Sequence, residues 1–307
     1  MSFINDLKEL PQALRESLRE ELLNLYRFVR DAWPILLILL IALSTLLWLA
    51  KPAPPRVVEM AAGRPSDYSY QLAKRYVDFF AKNGVELRLV PTQGALDNFE
   101  RLKSEKDTIK VAILQAGLVD EPEKLQGLLS LGSIAYEPIW LFYAANNGTE
   151  DMKRPLIEVL KGPLSIGNEG SGTHVKALQL LKINGMSPNP DNMLALPEDE
   201  AIEALKTGKT KAMLLVENYE SPHVQDLLKT DGLIVADFVR AQAYSRLLGY
   251  IEVLHVPTGA FDLSKNYPDH DIQLLSTTST LIVDEDLHPA IQMLFMEASS
   301  AIVGHES

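Results

Sequence analysis

The stretch with the clearest capacity for chemistry runs from Pro163 to Asn184, P-L-S-I-G-N-E-G-S-G-T-H-V-K-A-L-Q-L-L-K-I-N. Leu164, Ser165 and Ile166 read as a short buried strand, and Val175, Leu178, Leu181 and Ile183 read as the apolar face of a helix. Between them lie Gly167, Gly170 and Gly172, with Ser171 and Thr173 at N-cap positions and Asn184-Gly185 as the stop. A glycine-rich turn from strand to helix aims free backbone N–H groups, two hydroxyls and the positive end of a helix dipole at one point. That chemistry suits a carboxylate or another small anion. No Gly-Lys-Ser/Thr follows, so the turn is not a Walker loop, and its G-x-x-G-x-G spacing is not the dinucleotide fingerprint. The same residues also serve an ordinary tight turn.

Three further polar turns stand where strands should end. They are Gly63 to Tyr70 (G-R-P-S-D-Y-S-Y), Pro91 to Asn98 (P-T-Q-G-A-L-D-N) and Gln115-Ala116-Gly117. Singly, Ser66 and Thr92 are common caps, Asn98 a common helix polar residue and Gln115 a common strand-end hydrogen bonder. Together the four turns outline a cleft of donors and aromatic faces with little fixed negative charge. His174 is a further donor candidate, although a histidine at that place on a helix is usually just solvated.

Composition removes several function classes. A formal net charge of −12 with no basic cluster argues against nucleic acid as a partner. With no cysteine there is no disulfide, thiolate metal site or cysteine nucleophile. The six histidines show no H-x-x-x-H or H-E-x-x-H spacing, so no metal site is read, and Asp67, Asp97 and Glu217 are too scattered for a calcium loop. No cofactor is implied.

The elements that must position these turns follow a membrane segment. Leu7, Leu10, Leu14, Leu18, Leu22, Leu25 and Val29 make residues 1–32 an amphipathic cytoplasmic helix. Residues 33–50 carry no charge, have Trp33 and Trp48 near their ends, and span about 27 Å at the helical rise. This reads as an uncleaved transmembrane anchor. Arg15, Arg19, Arg27 and Arg30 precede it and place the N-terminus in the cytoplasm. Residues 51–56, K-P-A-P-P-R, form a stiff linker. Strand and helix patterns then alternate: strands at 57–60, 85–90, 109–114, 128–145, 164–166, 193–196, 211–216 and 233–236, followed by segments at 241–247 and 251–256, and helices at 68–81, 95–102, 173–183, 197–206, 224–228 and 288–302. Such alternation predicts an α/β fold of parallel sheets covered by helices.

The ordered series G-x-x-x-x-Y-x-Y, T-Q-G-A-x-D-N, V-A-I-L-Q-A, S-I-G-N-E-G-S-G-T-H and A-I-E-A-L-K-T-G-K-T-K-A-M resembles the TAXI-type solute receptors of TRAP transporters, over about residues 57–302. The resemblance implies a two-lobed, type II-like periplasmic-binding-protein fold behind one transmembrane helix. Residues 57–145 and 238–307 would form one lobe and 146–237 the other. It implies a small organic acid, a dicarboxylate or amino acid, held between the lobes, with TRAP-type permease subunits and the bilayer (through residues 33–50) as partners. The location implied is the bacterial inner membrane, with the receptor part in the periplasm. Carried over by position, the ligand contacts would be Tyr68, Tyr70, Thr92, Gln93, Gly94, Asn98, Gln115, Ser171, Gly172 and Thr173. Ser171 and Thr173 would hold the ligand carboxylate, and Tyr68 and Asn98 would orient the rest.

The chain departs from that family at Ala95, where the pattern has Ser, at Asp67, which sets a carboxylate near the anion turn, and at Gly117, where an Asp is missing. Tethered members of the family also continue past the position of Ser307. A ligand-sensing adaptor on the same fold is the alternative, since residues 1–30 exceed what an anchor requires. An enzyme is not expected: Ser171 lies in G-S-G rather than G-x-S-x-G, and no carboxylate dyad stands out.

Overall fold

The structure, a computed structural model, describes residues 12–49, 53–119, 121–145 and 156–303. It divides into two compact units, Met1–Ala53 and Pro54–Ser307. In the first unit, α1 (Gln12–Leu49) is one helix of 38 residues that runs through Pro34. Its stretch Arg19–Leu46 is long and apolar enough to cross a membrane by length and composition. The expected amphipathic and membrane-spanning segments therefore share one helix. Leu7, Leu10, Ala50, Lys51 and Pro52 lie outside the described residues, as do 146–155.

The second unit follows the expected alternation through most of its length. In chain order it holds β1 (Val57–Ala61), α2 (Tyr68–Lys82), β2 (Glu86–Val90), α3 (Ala95–Lys103), β3 (Ile109–Gln115), β4 (Leu128–Ala144), α4 (Leu156–Lys161), β5 (Leu164–Ser165) and α5 (Gly172–Ile183). Next come β6 (Met193–Leu194), α6 (Glu198–Lys206), β7 (Ala212–Val216), α7 (Pro222–Lys229), β8 (Leu233–Val235), α8 (Ala241–Leu247), β9 (Glu252–Val256), β10 (Ile272–Asp284) and α9 (Pro289–Val303). Neither β10 nor α4 is foreseen in the sequence.

The strands join in one sheet of order β2-β1-β3-β10-β4-β7-β5-β6, with β8 on β4 and β9 on β10. It is not the all-parallel sheet expected. β1 pairs in parallel with β2 and β3, and β5 with β6 and β7, but β10 is antiparallel to β3, β4 and β9, and β4 to β7 and β8. The cause is that two long strands, of 17 and 13 residues, run side by side through the middle and invert the direction of their neighbours.

Two cores flank this central pair. In the first, successive residues of β3 face opposite ways, as the two-residue period requires. Val111 and Ile113 pack with Tyr76, Phe80 and Phe295, whereas Ala112 and Leu114 pack with Phe99 and Leu102. Phe80 and Phe295 meet with ring centroids 4.4 Å apart. The second core gathers Trp140, Phe142, Leu180, Leu205, Leu214, Leu215, Val224 and Leu275. β7 is buried at all five positions, so its uninterrupted A-M-L-L-V reads as a strand covered on both faces.

Candidate functional site

Between the two cores lies a cavity of about 50 Å³, room for a handful of waters. Its wall brings together Tyr68, Gly94, Asn98, Gln115, Ser171, Gly172 and Thr173 from the turns singled out in the sequence. Tyr70, Thr92 and Gln93 are not part of the lining. The Tyr70 ring has the Lys74 ammonium 5.5 Å from its centroid. Thr92 is buried and its hydroxyl donates to Asn98 Oδ1, fixing that amide, whose Nδ2 donates to the Ile113 carbonyl at 2.9 Å. Gln93 gives its N–H to Asp97 at 2.8 Å, and its carbonyl accepts from Asn168 at 3.3 Å.

The Ser171 turn forms as its residue types dictate. Ser171 has extended backbone, and its Oγ accepts the His174 N–H at 3.1 Å, an N-cap bond. Thr173 Oγ1 accepts the Val216 N–H at 3.1 Å, which ties the start of α5 to the end of β7. Both hydroxyls act here as acceptors, which leaves their protons to be donated. His174 turns back on its own loop, with Nδ1 3.0 Å from the Gly167 carbonyl. Facing this turn is Gly94, whose φ of +130° is one that side chains rarely adopt; a Cβ there would sit 2.9 Å from the Ser171 Cα. The Leu96 N–H donates to the Gly170 carbonyl at 3.0 Å, so the two turns meet backbone to backbone. Gly172 is equally constrained: a Cβ would run into the Gln115 amide.

The rest of the lining overturns the expectation of little negative charge. Asp67, Glu137, Glu198 and Glu217 all line the cavity, and the three glutamates are buried. They come from four separate places: the loop before α2, the middle of β4, the first turn of α6 and the exit of β7. Arg64 pairs with both Asp67, at 3.3 Å, and Glu198. Burial raises the Asp67 carboxyl above its ordinary range, against the pull of Arg64. His223 Nδ1 lies 3.1 Å from Glu217 and its Nε2 3.1 Å from Asp199. The hydrogen bond to Glu217 lifts His223 to about 9, so the ring is protonated at neutral pH and matches the Glu217 charge.

Glu137 is different. It is 4% exposed, and the groups that hold it are neutral: Gln115 Nε2 donates to one oxygen and Ser279 Oγ to the other. The three residues come from adjacent strands, since Ser279 on β10 lies opposite Gln115 on β3, and Thr277 opposite Glu137 on β4. Burial pushes the Glu137 carboxyl up to about 7 despite both bonds. A faint signal for it existed in the sequence, an acid followed by Pro138 inside an otherwise apolar run. Nothing comparable marks Glu198, Glu217 or Ser279.

Among solved structures, the chain resembles the BenM effector-binding domain with its effector benzoate, with a TM-score of 0.50 and 11% identity over 83% of this chain and 95% of that one. A protein of Bordetella bronchiseptica RB50 matches with a TM-score of 0.52 and 14% identity, over 81% and 71% of the two chains. The periplasmic aliphatic sulphonate binding protein SsuA of Escherichia coli has a TM-score of 0.47 and 14% identity, over 82% and 75%. No curated protein matches the sequence. The fold is periplasmic-binding-protein-like, as expected. Residues 61–291, which contain both walls of the cavity, match the model of the NMT1-like family, and the chain belongs to that family.

Proposed function

We propose that this chain is the membrane-anchored, extracytoplasmic solute-binding component of a TRAP-type transport system, a TAXI-type receptor that takes up a small carboxylate between its two lobes and performs no catalysis. The observation that carries this reading is the closed contact of the Gly94 and Ser171 turns over an internal polar cavity. A capped helix start with two hydroxyl protons to give is suited to a carboxylate, and the surrounding backbone contacts are of the kind a closing cleft makes. α1 would hold the receptor at the inner membrane with its N-terminus in the cytoplasm, and permease subunits would receive the solute.

The test is a thermal-shift screen of the full-length chain in detergent against small mono- and dicarboxylates and amino acids. A ligand at 100 times its Kd should add about 2.7 kcal/mol to stability. The expected result is a shift that Ser171→Ala with Thr173→Ala abolishes; a cooperative melt that no compound moves would overturn the reading. One observation favours a second reading, a sensing adaptor: α1 begins well before its uncharged part, at Gln12. Transport that survives deletion of residues 12–30 would count against the adaptor.

A further inference from the structure

The donor and acceptor groups of the cavity do not balance. Four carboxylates line its wall; Arg64 and His223 pair with three of them, and Lys176 acts on the fourth, Glu137, without an ion pair to it among the described contacts. The fourth, Glu137, meets only neutral donors. Beside it, Gln115 Oε1 is a buried acceptor with no hydrogen-bond donor, because the Gln115 amide nitrogen is committed to Glu137. Most protein donors around the cavity are spent elsewhere: Asn98 Nδ2 on the Ile113 carbonyl, Ser69 Oγ on the Ala62 carbonyl, Ser279 Oγ on Glu137. A buried acid held only by neutral donors and a buried amide oxygen with no donor beside it are both costly.

Resting on the solute-binding reading above, we propose that the ligand carries an amine, and that Glu137 with Gln115 Oε1 is the subsite that receives its N–H groups. The ligand is then a small zwitterion, with its carboxylate at the Ser171 turn and its ammonium on the central strands, and a plain mono- or dicarboxylate is refused. An ammonium supplies both the charge that Glu137 lacks and the donor that Gln115 lacks. A deaminated analogue would bring a second anion to an acidic wall, which is a strong basis for rejection.

The test is calorimetry on the full-length chain in detergent at pH 8, with pairs that differ only in the amine: alanine and propionate, aspartate and succinate. The expected result is that the amine member of at least one pair binds ten times or more tighter than its partner. Glu137→Gln should reduce that ratio to below threefold while the variant still melts cooperatively. Should that variant not fold, Gln115→Leu must narrow the ratio in its place. Equal binding within each pair, or a preference for propionate or succinate, overturns the amine subsite while the solute-binding reading stands. A preference for the amine that both variants leave intact also overturns the assignment to Glu137. Binding of none of the four, together with a wider screen in which no compound moves the melt, overturns the subsite and the solute-binding reading together; a wider screen whose hits are all amine-free overturns the subsite alone.

Discussion

The two walls of the cavity are built by different means. The Ser171 wall is local in sequence: cap, glycines and helix follow one another from Gly167 to Ile183 and the cap bond closes over three positions, although Thr173 and Gly170 also tie it to Val216 and Leu96. The acidic wall is assembled from residues 67, 137, 198 and 217, and its groups are held by partners up to 142 positions away, as Ser279 is from Glu137. A wall made of backbone geometry tolerates no added atoms, whereas a wall made of charges is sensitive to whatever changes the balance of charge. Substitutions should therefore act on them in different ways.

The strongest break in the comparison is Gly94→Ala. The new Cβ meets backbone rather than a movable side chain, at a φ of +130°, so we expect a cost of about 3 kcal/mol or more to the closed arrangement. Calorimetric affinity should fall over a hundredfold with little change in the fold; unchanged affinity would show that the turns need not meet. Next in size is Arg64→Ala, which strands Asp67 and Glu198 without their cation. It should lower stability by about 3 kcal/mol in denaturant unfolding at pH 7. If Glu198→Gln in the same chain restores none of that loss, the pair is not the cause.

The pH dependence separates the walls further. Glu137 is raised from its ordinary 4.5 to about 7, so the folded state holds a proton that the unfolded state releases. Its contribution is most favourable below pH 4.5 and is lost as pH rises to 7, by about 3 kcal/mol. His223 is raised from 6.5 to about 9, so its contribution is present below pH 6.5 and lost as pH rises through 9. Glu217 and Lys176 are the other charged groups acting on Glu137. Both windows run downhill, so stability of the second unit should decline from about pH 5 to 9. Glu137→Gln should remove the lower part of that slope and His223→Gln the upper part; a flat profile in the wild type would refute both.

The smallest effect should be Ser171→Ala, about 1 kcal/mol for a lost cap, with a flat dependence on pH. A pH-dependent loss there would mean that the walls are electrically coupled.

The same contrast explains what was legible in the sequence. The Ser171 turn could be read because cap and glycine chemistry acts over a few residues, and the placement of α5 followed from it; that of α2 and α3 followed from apolar periodicity, since their N-caps, Asp67 and Gly94, make no side-chain cap bond and neither Ser66 nor Thr92 is the cap. β10 could not, because Ser276, Thr277, Thr278, Ser279 and Thr280 interrupt its apolar pattern. Those residues make sense only once β3 and β4 bury them, with Ser276, Thr277 and Ser279 at 2% exposure or less. With β10 unseen, neither the antiparallel middle of the sheet nor the partner of Glu137 could be inferred. The acidic wall was hidden for the same reason. Asp67 and Glu217 each drew notice in the sequence, but a separation of 150 positions gave no reason to join them.

The place of β10 in the sheet also bears on how the protein is made. This strand lies between β3 and β4, yet it is made after every other described strand of the sheet, more than 120 residues after β4 begins. Until Asp284 has emerged, the nascent chain carries two half-sheets with open, apolar edges where β3 and β4 await their common partner. Acquisition of the native state is thereby deferred until β10 has been made and falls among slow, long-range closures. Chains stalled before Ile272 should be protease-sensitive and should bind holdase chaperones, and those stalled well past Asp284 should not.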